Sequence, residues 1–208
     1  MELEQDTYLS IEGQSEGFYK EKGSKFLAYA FPVTSEEEIK EAQEVLRKKH
    51  YDARHHCYAW ALGRDGTHYR ANDDGEPNHS AGDPILGQIR SFNLSDVLVI
   101  VVRYFGGTKL GVGGLISAYK TAAAEALSAA RVVPVTVMHT YQVSFTYPDM
   151  NEVMRAVKDF DAEVVSQDFG MECRMVLRVR ETRSEAFADQ FTLSDTIKTK
   201  RKDPVEEI

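Results

Sequence analysis

Apolar and polar residues alternate in short runs at the start of this chain, which predicts strands at Thr7–Ile11, Gly17–Glu21 and Lys25–Phe31. The period then lengthens. Ile39, Ala42, Leu46 and Lys49 mark one helical stripe with Val45 beside it, and Ser35 followed by Glu38 reads as a capping box at its start. Cys57–Leu62 and Thr67–Ala71 read as strands around a Gly63–Gly66 turn. A turn-rich stretch, Asn72–Pro84, leads into a helix near Ile85–Phe92. Val97–Val102 is continuously apolar, as a strand buried on both faces would be. A helix over Leu115–Ala130 follows, where Ala118, Ala122, Ala123, Ala126 and Ala129 permit close backbone packing against a sheet.

Pro134, with strand-like residues on either side, marks a domain boundary, dividing the chain into residues 1–134 and 135–208. The second part predicts strand Met138–Tyr147, helix Asp149–Phe160, alternating strands Glu163–Phe169 and Glu172–Arg180 turning at Gly170, and helix Ser184–Phe191. This is a β-α-β-β-α unit of ferredoxin-like character. The charged end from Thr199 reads as frayed.

With 208 residues and 42% hydrophobic content, the chain can bury a real core. No segment has the roughly 18 uninterrupted apolar residues of a membrane span, and the acidic start Met1-Glu-Leu-Glu is unlike a secretory signal. Two distant cysteines, Cys57 and Cys173, fit buried thiols in a reducing cytosol, so a cytoplasmic protein is expected. A net charge of −8 argues against nucleic-acid binding through the whole surface. One window reverses the trend: from Pro84 to Ala124, Arg90, Arg103, Lys109 and Lys120 face Asp96 alone.

That window holds the densest glycine cluster, with five of the fourteen glycines within nine residues of Arg103-Tyr-Phe-Gly-Gly-Thr-Lys-Leu-Gly-Val-Gly-Gly-Leu115. Glycine is costly to order, so the run calls for backbone at positive φ or for close approach by a ligand, partner or helix. It is no P-loop, because Val112 and Gly113 stand where Lys and Ser/Thr would follow the second glycine. The dinucleotide fingerprint fails as well, since Ile116 follows Gly111 and Gly113 at the third glycine's place. Anion binding at the N-terminus of the next helix survives both tests. Tyr104-Phe105 can stack on a base or serve the core.

The other unusual stretch runs from Asn72 to Pro84. Asp73, Asp74 and Glu76 crowd around Gly75, either as oxygen ligands for a divalent ion or as an Asx-type turn accepting backbone N–H bonds. His79-Ser80 lacks the surroundings of a nucleophile elbow. His55-His56-Cys57 reads as the start of a strand, with a core thiol and surface histidines, because no C-x-x-C partner exists for zinc. Trp60 is expected in the core.

Gly23-Ser-Lys-Phe26, Asp73-Asp-Gly-Glu-Pro77, Ala81-Gly-Asp-Pro-Ile-Leu86 and the glycine run together resemble the Impact/YigZ family, strongly over residues 17–130. The resemblance implies an α+β fold. Its N-terminal part would be an α/β sandwich like domain two of ribosomal protein S-five, shared with domain IV of elongation factor G. The small second domain would resemble that factor's ferredoxin-like C-terminal domain. Eukaryotic members are translational regulators that bind the activator of the general-control kinase and carry an RWD domain. This chain lacks that domain, which points to a bacterial member without that partner. No enzymatic activity and no cofactor come with the family. Asn78-His-Ser80 departs from its usual Ser-Gly-Thr.

The expected function is therefore non-enzymatic binding to the ribosome, RNA or a translation-linked protein. The expected contact residues are Arg103, Tyr104, Gly106, Gly107, Lys109, Gly111, Gly113, Gly114 and Lys120, with Asp73, Asp74 and Glu76 bracing the loop or shaping its rim. Two alternatives stand beside it: a metal-dependent hydrolase using those carboxylates, and a protein–protein adaptor using the C-terminal sheet.

Overall fold

A computed structural model describes residues 4–170 and 172–202. The chain is α+β and divides into two compact units. One is Tyr8–Val135; the other runs from Thr136 and includes the start of the chain up to Thr7.

The larger unit contains β1 (Thr7–Glu12), β2 (Ser15–Glu21), β3 (Ser24–Pro32), α1 (Glu36–Lys49), β4 (His55–Leu62), β5 (His68–Asn72), α2 (Gly82–Ser91), β6 (Val97–Tyr104), α3 (Gly111–Ala129) and β7 (Arg131–Thr136). Strands β2-β3-β6-β4-β5 form one antiparallel sheet, and β1 pairs with β7. Alternation along the strands sorts the core into two layers. Phe26, Ala28, Cys57, Ala59, Val99 and Val101 pack with α2 and α3. Tyr29, Tyr58, Trp60, Leu98, Ile100 and Val102 pack with Ile39 and Leu46 of α1. The central strand β6 is thus buried on both faces, which explains its unbroken apolar run. The alanines of α3 let it lie directly on β2: a Cβ at Gly17 would come within 2.3 Å of the Ala126 nitrogen.

Ser35 caps α1 by accepting the Glu38 N–H. The reciprocal half of the expected box is redirected, since Glu38 takes the Thr34 N–H at 2.6 Å. Helices α2 and α3 each start several residues before their apolar periodicity: α2 opens at Gly82, buried with no room for a Cβ beside the Asn72 backbone, and α3 at exposed Gly111.

The second unit contains β8 (Met138–Phe145), a 3₁₀ turn at Tyr147–Asp149, α4 (Met150–Asp159), β9 (Glu163–Phe169), β10 (Cys173–Arg180), α5 (Glu181–Asp189) and β11 (Lys198–Lys202). The strand order is β11-β8-β10-β9, with all neighbours antiparallel. Two expectations change here. Thr199–Lys202 is not frayed but paired with β8, while residues 203–208 lie outside the described residues. β9, at the sheet edge, does not alternate in burial but is exposed along its whole length. The core gathers Tyr141, Val143, Phe145, Met175, Leu177, Val179 and Phe187. Asp6 is fully buried in this unit and accepts from Arg180 Nη2 at 2.6 Å and Thr182 Oγ1 at 2.7 Å. Arg180 holds its carboxyl well below the usual range, against the opposing effect of burial.

Both cysteines are buried and free. Among the described residues, no helix is long and apolar enough to cross a membrane.

Candidate binding site at the glycine-rich loop

β6 delivers Arg103 into the layer between sheet and α3, not into solvent. Its Nη1 lies 2.6 Å from Glu76 Oε1, with side-chain exposures of only 7% and 4%. Tyr119 of α3 donates to the same oxygen at 2.8 Å. The Cys57 thiol sits 3.3 Å from the Tyr119 hydroxyl and 3.0 Å from the Asp73 carbonyl. Burial pushes both the thiol and the phenol far above their ordinary pKa values, so neither ionises near neutrality. The result is a buried network that ties the loop's root to the acidic segment.

The three carboxylates of that segment diverge. Asp73 takes the N–H groups of Ala81 and Gly82 on Oδ1 and of His79 on Oδ2, closing the start of α2. Burial opposes its ionisation, but the N–H bonds from Gly82, His79 and Ala81 prevail and hold its pKa low. Asp74 accepts from Arg47 and from the His56 N–H, and Glu76 faces Arg103. Among the described residues, no three His, Cys, Asp or Glu side chains converge as a metal site. His79 turns to Asp83 at 2.6 Å and Ser80 to the Pro77 carbonyl at 2.6 Å, so they do not meet as base and nucleophile. His79 also has φ +63°, in the left-handed region that favours glycine. Trp60 is in the core, and so is His56 against the surface expectation, because the layer under α1 covers it. His55 bonds the Asp74 carbonyl.

The loop proper is only residues 105–110, since α3 begins at Gly111. A Cβ at Gly106 would fall 1.9 Å from the Gly23 carbonyl carbon, and its N–H donates to Ser24 Oγ at 3.1 Å. Gly107 and Gly111 have φ of +91° and +73°. A Cβ at Gly114 would touch Leu110 at 3.0 Å. Gly113 differs: it is helical, with nothing within 4 Å of where a Cβ would stand. It shares an exposed stripe of α3 with Ile116, Ser117 and Lys120. The first turn of α3 has no acidic residue and no side-chain cap, which leaves its N–H groups and positive dipole end unclaimed by the protein's side chains. Exposed Lys109 precedes it. A hollow of about 200 Å³, lined in part by Lys22, Leu110 and Gly114, lies beside it.

The structure therefore groups Gly106, Gly107, Lys109, Gly111, Gly113, Gly114 and Lys120 along one surface. Arg103 is buried against Glu76, whereas Asp73 closes the start of α2 and Asp74 turns to Arg47 and the His56 N–H. Tyr104 points to the α1 side of the sheet, where its hydroxyl meets His50 Nδ1 at 2.9 Å and Asp52 at 3.0 Å. Lys22, His50 and Asp52 escaped sequence reasoning, because only strand register and the fold bring them near the loop.

Residues 22–127, half the chain and the whole of this site, match the model of the Impact N-terminal domain. The chain belongs to the Impact family. It is similar to the Impact family member YvyE of Bacillus subtilis, at 30% identity over 89% of this chain and 86% of that protein. It is also similar to the Impact family member YigZ of Escherichia coli, at 32% over 71% and 74%. The Impact homolog of Saccharomyces cerevisiae is 36% identical over 44% of this chain and 36% of its own length. A crystal structure of a hypothetical protein superposes with a TM-score of 0.72 at 25% identity, covering 96% of this chain and 99% of that one.

Proposed function

We propose that this Impact-family protein is a non-enzymatic regulatory protein of translation that seats an RNA phosphate, on the ribosome or in a ribosome-associated complex, at the first turn of α3. The observation that supports it most is Gly113. A glycine in an exposed helical turn is unfavourable relative to alanine by up to about 1 kcal/mol, and neither its φ nor its surroundings require it. Close approach of a partner accounts for it. The uncapped N–H groups, Lys109 and Lys22 give that partner a negative charge. The finer fold assignment fits this reading: the order β11-β8-β10-β9 is that of a ferredoxin-like sheet, as in the C-terminal domain of elongation factor G. We assign the loop to a domain ending near residue 134.

Co-sedimentation with ribosomes through sucrose gradients tests this. The protein should co-migrate at low salt and dissociate as salt rises. Lys109→Glu should abolish co-migration while leaving the melting temperature unchanged, because Lys109 is exposed and makes no ion pair among the described residues. Protein remaining at the top of every gradient, or a variant that still co-migrates, overturns the proposal. The edge strand β9, with Val164, Val165 and Phe169 all more than 40% exposed, favours a second reading as a protein adaptor. Loss of partner capture on deleting residues 136–208, with Lys109→Glu harmless, would select it.

A further inference from the structure

On the α1 side of the central sheet, beyond the last turn of α1, lies a hollow of about 580 Å³. Phe18 of β2 and Phe105 of the loop form apolar walls, 56% and 55% exposed. Rings this open contribute little to the core, yet offer flat faces to a planar ligand. The pairing register places Lys20 directly opposite Lys25, and Lys25 opposite Tyr104. Two like charges facing each other across neighbouring strands repel, and among the described residues neither lysine has an ion-pair partner. An anion between them would turn that repulsion into attraction.

The polar end of the hollow is fixed by a chain of hydrogen bonds whose direction can be worked out. Tyr104 has one hydroxyl proton, and it goes to Asp52 Oδ1 at 3.0 Å. The His50 Nδ1 contact at 2.9 Å must therefore be N–H donating to the Tyr104 oxygen. His50 Nε2 then accepts from the Tyr29 hydroxyl, also at 2.9 Å. The imidazole is neutral in this arrangement, as burial and neighbouring Lys49 favour. Protons thus run from Tyr29 through His50 and Tyr104 to the Asp52 carboxylate. Asp52 is held in place, but it is exposed and keeps its second oxygen for a ligand.

We infer that this hollow binds a nucleotide unit of single-stranded RNA, with the base against Phe105 and Phe18, its amino edge on Asp52, and its phosphate between Lys20 and Lys25. A carboxylate only accepts hydrogen bonds, so the matching base edge must donate. Guanine offers two parallel donors at N1 and N2. Cytosine and adenine offer one amino group each, and uracil offers a single N3–H flanked by two carbonyl oxygens that a carboxylate repels. The volume lies within the usual range for small-ligand sites, and aromatic faces beside cations are how single strands are gripped. The inference deepens the reading of an RNA partner and rests on it for physiological setting, although the pocket chemistry can be tested without a ribosome.

The test is titration of the full chain with GMP, CMP, AMP and UMP, followed by NMR of Phe18, Lys25, Tyr104 and Phe105. GMP should bind most tightly and UMP roughly tenfold or more weakly, because the carbonyl oxygens on either side of the uracil N3–H repel the carboxylate. Asp52→Asn, which can both donate and accept, should weaken GMP by about tenfold and strengthen UMP. A purely structural Asp52 would not exchange the preference. Phe105→Ala, at an exposed side chain, should weaken all four by roughly tenfold and serves if the Asn variant fails to fold. No response at these residues at millimolar nucleotide, or equal affinity for all four bases in both proteins, overturns the inference. Monophosphate binding is read at residues lining the hollow itself, Phe18, Lys25, Tyr104 and Phe105, and not at the first turn of α3. Nucleotide binding without ribosome co-migration would therefore sink the translation reading alone, and co-migration without nucleotide binding would sink the pocket alone.

Discussion

Replacing Glu76 by glutamine keeps the shape of the side chain and removes one charge from a pair that is almost wholly out of water. Arg103 Nη1 and Glu76 Oε1 are 2.6 Å apart, with at most 7% of either side chain exposed. Arg103 would keep its charge in that place with no counter-ion among the described residues, beside the Phe26 and Phe105 rings at 5.5 and 5.7 Å. Removing one member of a buried pair costs about 3–5 kcal/mol. Glutamine can still accept from Tyr119, so the lower figure of about 3 kcal/mol applies. For a unit the size of Tyr8–Val135 that corresponds to a fall in Tm of roughly 10 °C. Urea denaturation followed by circular dichroism measures it. Adding Arg103→Met removes the stranded charge, so Glu76→Gln/Arg103→Met should recover most of the loss. A double variant less stable than Glu76→Gln alone, or a single loss under about 1 kcal/mol, would refute the account of this network.

Two glycines of one run should respond in opposite directions. Gly106→Ala forces a Cβ against the Gly23 backbone and should cost about 3 kcal/mol or more. Gly113→Ala meets open space and should stabilise by up to about 1 kcal/mol while weakening ribosome co-migration; thermal melts of both variants decide. Stability should fall below pH 6.5. Burial, the first cause at each, lowers the folded pKa of His50, His56 and His139 from that value. The unfolded chain therefore takes up protons that the folded one refuses, and the stabilisation present above pH 6.5 is lost as pH falls, by at most about 1.4 kcal/mol per pH unit for each histidine. Equal urea midpoints at pH 7.5 and 5.5 would contradict this.

The layers of the larger unit were legible because β6 and α1 advertise their burial in residue type alone: one is apolar throughout, the other apolar on a single stripe. The acidic segment was harder to read. Asp73, Asp74 and Glu76 look alike in sequence, and only the fold separates a helix-closing carboxylate from a ligand of Arg47 and from the partner of a buried arginine. Arg103 looked like a contact residue because its position at the end of an apolar strand says nothing about which face it takes. The strand β11 is nearly all lysine and threonine. Its place in the sheet comes from pairing with β8, a long-range choice that no local pattern encodes. The hollow beside Phe105 depends on β2–β3 register in the same way.

The buried carboxylate of Asp6 has a consequence for the order of assembly. Its partners Arg180 and Thr182 emerge from the ribosome more than 170 residues later. Tyr8–Val135 holds its own sheet and core and can close while the rest is still being made. The other unit cannot bury Asp6 until nearly the last strand has been synthesised. Between the emergence of Val135 and that of Thr182 the nascent protein thus carries a closed larger unit with its glycine-rich loop in place, while the segment around Asp6 is left waiting.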